Sequence, residues 1–401
     1  MSKPIQDDDV VIIAGARTPF GNLSGALADL TATDLGVVAA QAAIARSGVP
    51  TERFDDVVFG NVMQTSADAI YLARHIGLRA GLAIGVPALT LNRLCGSGLQ
   101  AVLSAAQSLR LGESTYALAG GTESMSQAPH VVRGARKGLH LGQNVQFEDS
   151  LWSALTDSYT NTPMAITAEN LAAKYGVSRE ACDELALSSQ ARSLESQSSG
   201  YFAEEIAPVT IAGPKGTQVV VDTDEGPRAG LSMEKLGKLP ARFRKDGVVT
   251  PGNASGITDG AAALVLTTVR QAKADGLKWI GRLIGSSVVG VDPEIMGIGP
   301  AVSIPKALAK AGIRESDLAV MEINEAFAPQ VLACMKDMGS SNGVRLNPHG
   351  GAISLGHPLG ASGARLALTT LHDLQQRGGG YGVASACIGG GQGIAAVFVA
   401  Q

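Results

Sequence analysis

Short apolar runs alternate with longer amphipathic stretches along most of this 401-residue chain. Near the start, "VVIIAGA" predicts a strand, "TDLGVVAAQAAIARSG" a helix stopped by Gly48, and "FDDVVFGNV" a second strand. Alternation of this kind predicts a layered α/β fold. The stretch "LTLNRLCGSGLQAVLSAAQ" then sets Cys95 at a Gly-Ser-Gly corner between a strand and a helix.

The pattern recurs late in the chain. "AAQAAIARSGVPTERFDDVVFGNV" matches "IPKALAKAGIRESDLAVMEINEA": an Ala-rich helix, a glycine stop, a short polar loop, a strand and an asparagine. "LCGSGLQAVLSAAQSL" parallels "LGASGARLALTTLHDL", and "YALAGGTES" parallels "YGVASACIG". Three matches in one order predict a duplicated α/β unit. Residues from about 127 to 257 have no counterpart in the repeat. We therefore expect an N-terminal half over 1–126, completed by about 258–277, an inserted domain over 127–257, and a C-terminal half over 278–401.

Composition narrows the classes. The chain is too long for one ordinary core, and its 45% hydrophobic content is that of a packed globular protein. No apolar run approaches the ~18 residues of a membrane span. A formal net charge of −4 gives no general attraction to nucleic acid. Four cysteines (Cys95, Cys182, Cys334, Cys387) lie far apart, with no C-x-x-C. This excludes a zinc or disulfide framework and points to a reducing compartment, the cytoplasm by default. "MSKPIQDDDVVIIAG" puts three Asp where a secretory signal would be apolar. Within the insert, Arg228, Lys235, Lys238, Arg242, Arg244 and Lys245 face only Glu234 and Asp246. Such a run is either a solvated face or a site for a phosphate-bearing ligand.

A free N–H array and a helix dipole at the Cys95 corner favour an anion by about 0.3–2 kcal/mol. That cannot ionise a thiol of ordinary pKa about 8.5 at pH 7, so a base is needed. Among six histidines, His75 and His372 fall in helix-like stretches, and His130 and His140 flank the basic "RGARKG". His349 and His357 lie in "NPHGGAISLGHPLGASG", just ahead of the second half's corner, where Gly360 replaces the thiol. Two facing halves would bring His357 to Cys95. Cys387, in "SACIGGGQG", has glycines whose N–H groups can serve an oxyanion, and Asn324 follows a strand where it can position water. The G-x-G-x-x-A matches at Gly96 and Gly391 do not open a first strand–helix unit, and Glu113 lies in a turn, so a nicotinamide site is not expected.

Taken together, "NRLCGSGLQ", "GGTESMSQAP", "TAENLA", "GNASGITDGAAA", "NEAFAPQ", "GGAISLGHPLGASG" and "CIGGGQG" resemble the thiolase family, in family order and over nearly the whole chain. "YLARHIGLR", "EDSLWSALTD" and "DPEIMGIGP" make the chain most similar to the mitochondrial-type 3-ketoacyl-CoA branch. The resemblance implies two thiolase half-folds in a five-layered αβαβα core, with a loop domain holding coenzyme A as a substrate and no permanently bound cofactor or metal. It implies Cys95 as acyl-accepting nucleophile, His357 as its base and Cys387 as acid/base for the second substrate. Backbone N–H groups of Cys95 and Gly389 would form one oxyanion hole, and His357 with a water on Asn324 the other. Arg228 and Ser255 match coenzyme A contacts, with Met164 and Phe327 lining the pantetheine channel. The implied reactions are thiolysis of 3-ketoacyl-CoA and its reverse, condensation of acetyl-CoA. The implied partners are acyl-CoA molecules and further copies of the chain, as a dimer or tetramer.

Two positions depart from the family pattern. Pro163 stands where the biosynthetic acetoacetyl-CoA branch has His, and His349 where the family usually has Asn. A decarboxylating condensing enzyme of the same superfamily, which relies on Cys-His-His or Cys-His-Asn, is disfavoured by Cys387. A non-catalytic acyl-CoA carrier would not need two placed thiols.

Overall fold

The computed structural model describes residues 4–340 and 344–400. Ten strands carry the architecture: β1 (Val10–Arg17), β2 (Asp56–Gly60), β3 (Ala88–Leu91), β4 (Tyr116–Ser124), β5 (Thr258–Thr268), β6 (Gly281–Gly290), β7 (Leu318–Ile323), β8 (Arg345–Leu346), β9 (Gly380–Ile388) and β10 (Gln392–Ala400). The first half is ordered β3-β2-β4-β5-β1 and the second β8-β7-β9-β10-β6. In both, the second strand of that order pairs in parallel with its two neighbours, while the remaining pairs are antiparallel. The halves meet where β1 pairs with β6 over Val11–Arg282 and Ile12–Gly281 alone.

The helices that matter for layering are α1 (Ala32–Ser47), α2 (Leu72–Arg79), α3 (Ser97–Leu111), α4 (Met164–Tyr175), α5 (Arg179–Ser198), α6 (Gly299–Ala311), α7 (Ala328–Met338) and α8 (Leu359–Gln376). Period-2 alternation sorts β1 between two cores. Val11 and Ile13 pack under Leu35, Ala39 and Ala43 of α1. Val10 and Ile12 face the opposite way, toward Leu99 and Val102 of α3 and Leu366 and Leu371 of α8. A third core sets Ile304 and Leu308 of α6 on Met321 and Ile323 of β7. The result is α1/α2, sheet, α3/α8, sheet, α6/α7: the αβαβα order expected.

Helix boundaries follow local chemistry. Thr31 and Asp34 close a capping box at the start of α1, and Gly48 ends it at φ 67°. The insert, with α4 and α5, is tied to β1 by Arg17. Its fully buried guanidinium reaches Glu205 at 2.8 Å and Asp224 at 2.7 Å, a pairing whose loss on one side costs about 3–5 kcal/mol. Among the described residues no helix is long and apolar enough to cross a membrane.

Candidate active site

The central layer builds the site. After β3 the chain passes Asn92 and Arg93, and Leu94 takes φ 46° to start a tight turn ending at Gly96. Ser97 Oγ clamps it, accepting from Arg93 N at 2.8 Å and donating to Leu94 O at 2.7 Å. A Cβ on Gly96 would lie 2.5 Å from Ile388 Cδ1, so a side chain there would have to push Ile388 aside. The turn leaves Cys95 half-buried against Met63, Met125 and Leu359. Its own backbone N–H and that of Gly389 both point at its sulfur.

The corner does not lower the thiol's pKa as the helix terminus alone would. Burial pushes Cys95 up to about 11, with the two N–H groups pulling down and Glu123 adding to the rise. Desolvation outweighs a dipole worth at most a couple of kcal/mol.

His357 is buried, and its backbone N–H donates to Thr258 Oγ1 at 3.1 Å. Ser362 Oγ lies 2.5 Å from His357 Nδ1 and donates its single hydrogen to Pro358 O at 2.9 Å. With that hydrogen on Pro358 O the hydroxyl accepts from Nδ1–H, the tautomer that leaves Nε2 unprotonated. Asn324 Nδ2 stands 3.2 Å from that nitrogen. Burial, with Arg365 nearby, holds the imidazole down at about 3. Thiol and imidazole thus rest uncharged, and a proton moves only as bonds are made. Alkylation of Cys95 by iodoacetamide should accordingly rise about tenfold per pH unit from pH 7 to 10. A plateau near neutrality would instead reveal a resting thiolate–imidazolium pair.

Cys387 is fully buried on β9 beside Met296 and Ala326, with Met164 and Phe327 packed against the group. Burial raises it well above an ordinary thiol, and the charge of a Cys95 thiolate raises it further. Met164 also adjoins Gly389, where an added Cβ would lie 3.3 Å from its Sδ. Ser255 N donates to Ala326 O at 3.0 Å, one residue beyond a bridge between Ala254 and Phe327. Arg228 is exposed and shares a cleft with Ala254, Gly256 and Ile353. Of the nine residues singled out in the sequence, Gly389 points its N–H at Cys95, Cys387 is near enough to feel its charge, and Asn324 meets His357, two residues before the Leu359 that packs on the thiol. Met164 and Phe327 pack by Cys387, and Arg228 lines a cleft with Ala254 and Gly256, the neighbours of Ser255.

Of the basic run, Lys238 is paired with Glu234, Lys235 bonds Gly230 O and Arg244 bonds Asn170. His349 stands apart from the site. It stacks on Tyr201 with ring centroids 3.5 Å apart, and bonds Ser196 at 2.8 Å and Asp373 at 2.9 Å. Standing where the family usually has Asn, it serves as a hydrogen-bonding group of its loop. The fingerprint matches carry no nucleotide site either. A Cβ on Gly98 would lie 2.7 Å from Gly360 O, so α3 presses on α8, and the match at Gly391 runs into β10 instead of a helix.

Sequence reasoning missed Ser362, which fixes the His357 tautomer, although it lies inside the matched "LGASG". It also missed Asn347, at φ 43°, which bonds Ile323 at both N and O and Glu325 Oε1 at 2.8 Å, bracketing Asn324.

A glycine-turn thiol, an imidazole and a second buried thiol, set between two like α/β halves, are the kinds of group that covalent acyl transfer uses. The thiolase N-terminal domain matches residues 10–270 and the thiolase C-terminal domain residues 277–400. The chain belongs to the thiolase family and is an acyltransferase. It is 50% identical to the mitochondrial 3-ketoacyl-CoA thiolase of Homo sapiens over 97% of this chain and 98% of that one. It is 45% identical to an acetyl-CoA acetyltransferase of Pseudomonas aeruginosa, over 96% and 98%. The crystal structure of the human mitochondrial thiolase superposes with a TM-score of 0.96 at 48% identity, covering 99% of this chain and 100% of that one. The same human enzyme in complex with CoA gives 0.95 at 48%, covering 99% of each.

Proposed function

We propose that this protein cleaves 3-ketoacyl-CoA with coenzyme A, giving acetyl-CoA and an acyl-CoA two carbons shorter, and runs the reverse condensation of acetyl-CoA. The observation that carries this is the pair of N–H groups on the Cys95 sulfur, with a second thiol near enough to feel its charge and Leu359, two residues after His357, packed against it. In thiolysis His357 Nε2 takes the Cys95 proton as the sulfur attacks the C3 ketone. The C2–C3 bond then breaks, its electron pair forms the acetyl-CoA enolate, and Cys387 protonates C2. His357 returns its proton to the Cys387 thiolate, then deprotonates the incoming coenzyme A thiol. That thiol attacks the acyl group, and Cys95 leaves and is reprotonated. The N–H groups of Cys95 and Gly389 hold the tetrahedral oxyanions, while His357 and a water on Asn324 hold the enolate oxygen. Each donor is worth about 3–4 kcal/mol.

The substrate reading is supported by the human relative, whose crystal structure in complex with CoA shares this fold throughout. The position of Arg228 on a cleft with Ala254 and Gly256, which flank Ser255, supports it as well. Arg228→Glu should raise the KM for coenzyme A roughly tenfold with kcat nearly unchanged; a uniform fall in kcat would displace the nucleotide end from this cleft. Pro163 and the 3-ketoacyl-CoA relatives favour a degradative role in fatty-acid β-oxidation. Thiolysis rates across 3-ketoacyl-CoAs of increasing length, beside condensation of acetyl-CoA, test it. Activity confined to acetoacetyl-CoA would favour biosynthesis.

The division proposed is two half-folds, 1–126 with 258–277 and 278–401, around a coenzyme A domain at 127–257. It is supported by β5 entering between β1 and β4 from beyond the insert. For assembly we propose a homo-oligomer, dimer or tetramer, through the β3 edge of the sheet, where Ile84 and Leu89 are 83% and 52% exposed. Light scattering reads the mass directly. For compartment we propose the cytoplasm. All four cysteines are free, which fits a reducing environment, and fractionation decides against the organelle named for the human relative.

A further inference from the structure

Glu123 is a fully buried carboxylate at the end of β4 that the mechanism above does not use. Four donors converge on its two oxygens: Asn61 Nδ2 at 2.9 Å and Met63 N at 3.1 Å on Oε1, and Val62 N at 3.0 Å and Gly360 N at 2.9 Å on Oε2. The repeat gives these donors meaning. Gly360 occupies the position of Cys95 in the duplicated unit, and Asn61 that of Asn324. Each follows its strand, β2 or β7, at the same place in the matching sheet order. At the working corner the Cys95 N–H points at a reactive sulfur and the Asn324 amide at His357. At the duplicate corner the same two donors end on one carboxylate. A Cβ on Gly360 would lie 2.5 Å from Thr122 O, so that corner cannot hold a nucleophile.

We propose that Glu123 is a positioning residue: a built-in anion that fills the duplicate, chemically silent corner and thereby sets the distance between Cys95 and His357. The connection is short on both sides. Met63, bonded to Glu123, packs on Cys95. Gly360 lies three residues after His357 on the helix whose Ser362 fixes the imidazole. Donors on every side favour the ionised form, while burial pushes the group up to about 7. A Gln would turn an NH2 toward two of the N–H groups, so the carboxylate cannot be replaced isosterically.

This inference rests on Cys95 and His357 being the nucleophile and base, and the test separates the two ideas. Acetyl-CoA is mixed with each variant, and acetylation of Cys95 is timed by peptide mass. In Glu123→Ala the acetylation rate and kcat should fall about 100-fold, as a small misplacement of reacting groups does, with the KM for coenzyme A little changed. Added formate, which can occupy the vacated corner, should restore most of that loss, and neutral formamide should not. Equal rescue by formamide, or a rate like the parent's, overturns the proposal. Should Glu123→Ala be insoluble, Asn61→Ala removes one donor and should lower kcat with KM unchanged; an unaltered kcat overturns it equally. If the parent is not acetylated at Cys95 at all, the mechanism falls first.

Discussion

Cys95→Ala should lower kcat by on the order of 10^5-fold and abolish the acetyl adduct formed from acetyl-CoA. The other three thiols cannot substitute. Cys182 sits in the core between α5 and α7. Cys334 is buried on α7, donating to Gly297 O at 3.2 Å. Cys387 lies behind Cys95 with burial holding its proton in place. What survives in the variant is direct attack of coenzyme A on a bound ketoacyl group, helped by the remaining oxyanion donors. The fold should persist, because Cys95 is only half-buried and losing its sulfur costs about 1 kcal/mol by analogy with small core truncations. The measurement is intact mass after brief exposure to acetyl-CoA, with a thermal melt on the same sample. An adduct retained on Cys182 or Cys334 would move the nucleophile elsewhere.

The alternation of apolar runs exposed β1 and β2 because strands buried on both faces read as short continuous apolar runs, and α1 because Gly48 gives it a clean stop. The repeat exposed the duplication because both copies kept a glycine stop and an asparagine after the strand. The strand order was not legible. β5 enters between β1 and β4 only after the whole insert has intervened, and local sequence carries no record of so distant a pairing. The site was legible as a set of residue types, yet its electrostatics were not. The helix terminus beside Cys95 is a local feature and suggests a lowered pKa, whereas desolvation comes from Met63 and Leu359, which reach the thiol from elsewhere in the chain. Glu123 was invisible for the same reason. It reads as one polar residue among three at the end of a strand, and its four donors come from two other stretches of the chain.

Cys387→Ala should separate the two halves of the reaction. Acetylation of Cys95 needs only His357 and the N–H groups of Cys95 and Gly389, so the adduct should form at close to the parent rate and accumulate. The next step requires a base for the α-proton of the second acetyl-CoA, and Cys387 is the group placed for it. Turnover should therefore drop by about 10^2–10^4-fold, the usual contribution of a positioned acid or base. The order of events follows from charge. While Cys95 can ionise, its thiolate raises Cys387, so two thiolates do not coexist at this spacing. Once Cys95 carries an acyl group it can no longer ionise, and Cys387 becomes easier to deprotonate at the moment its base is needed. Exchange of the acetyl methyl protons with deuterated water, followed by mass spectrometry of recovered acetyl-CoA, reads this step alone. It should be lost in Cys387→Ala and persist in the parent. Normal turnover in the variant would remove Cys387 from the mechanism, and a failure to acetylate Cys95 would show that both thiols serve the first step.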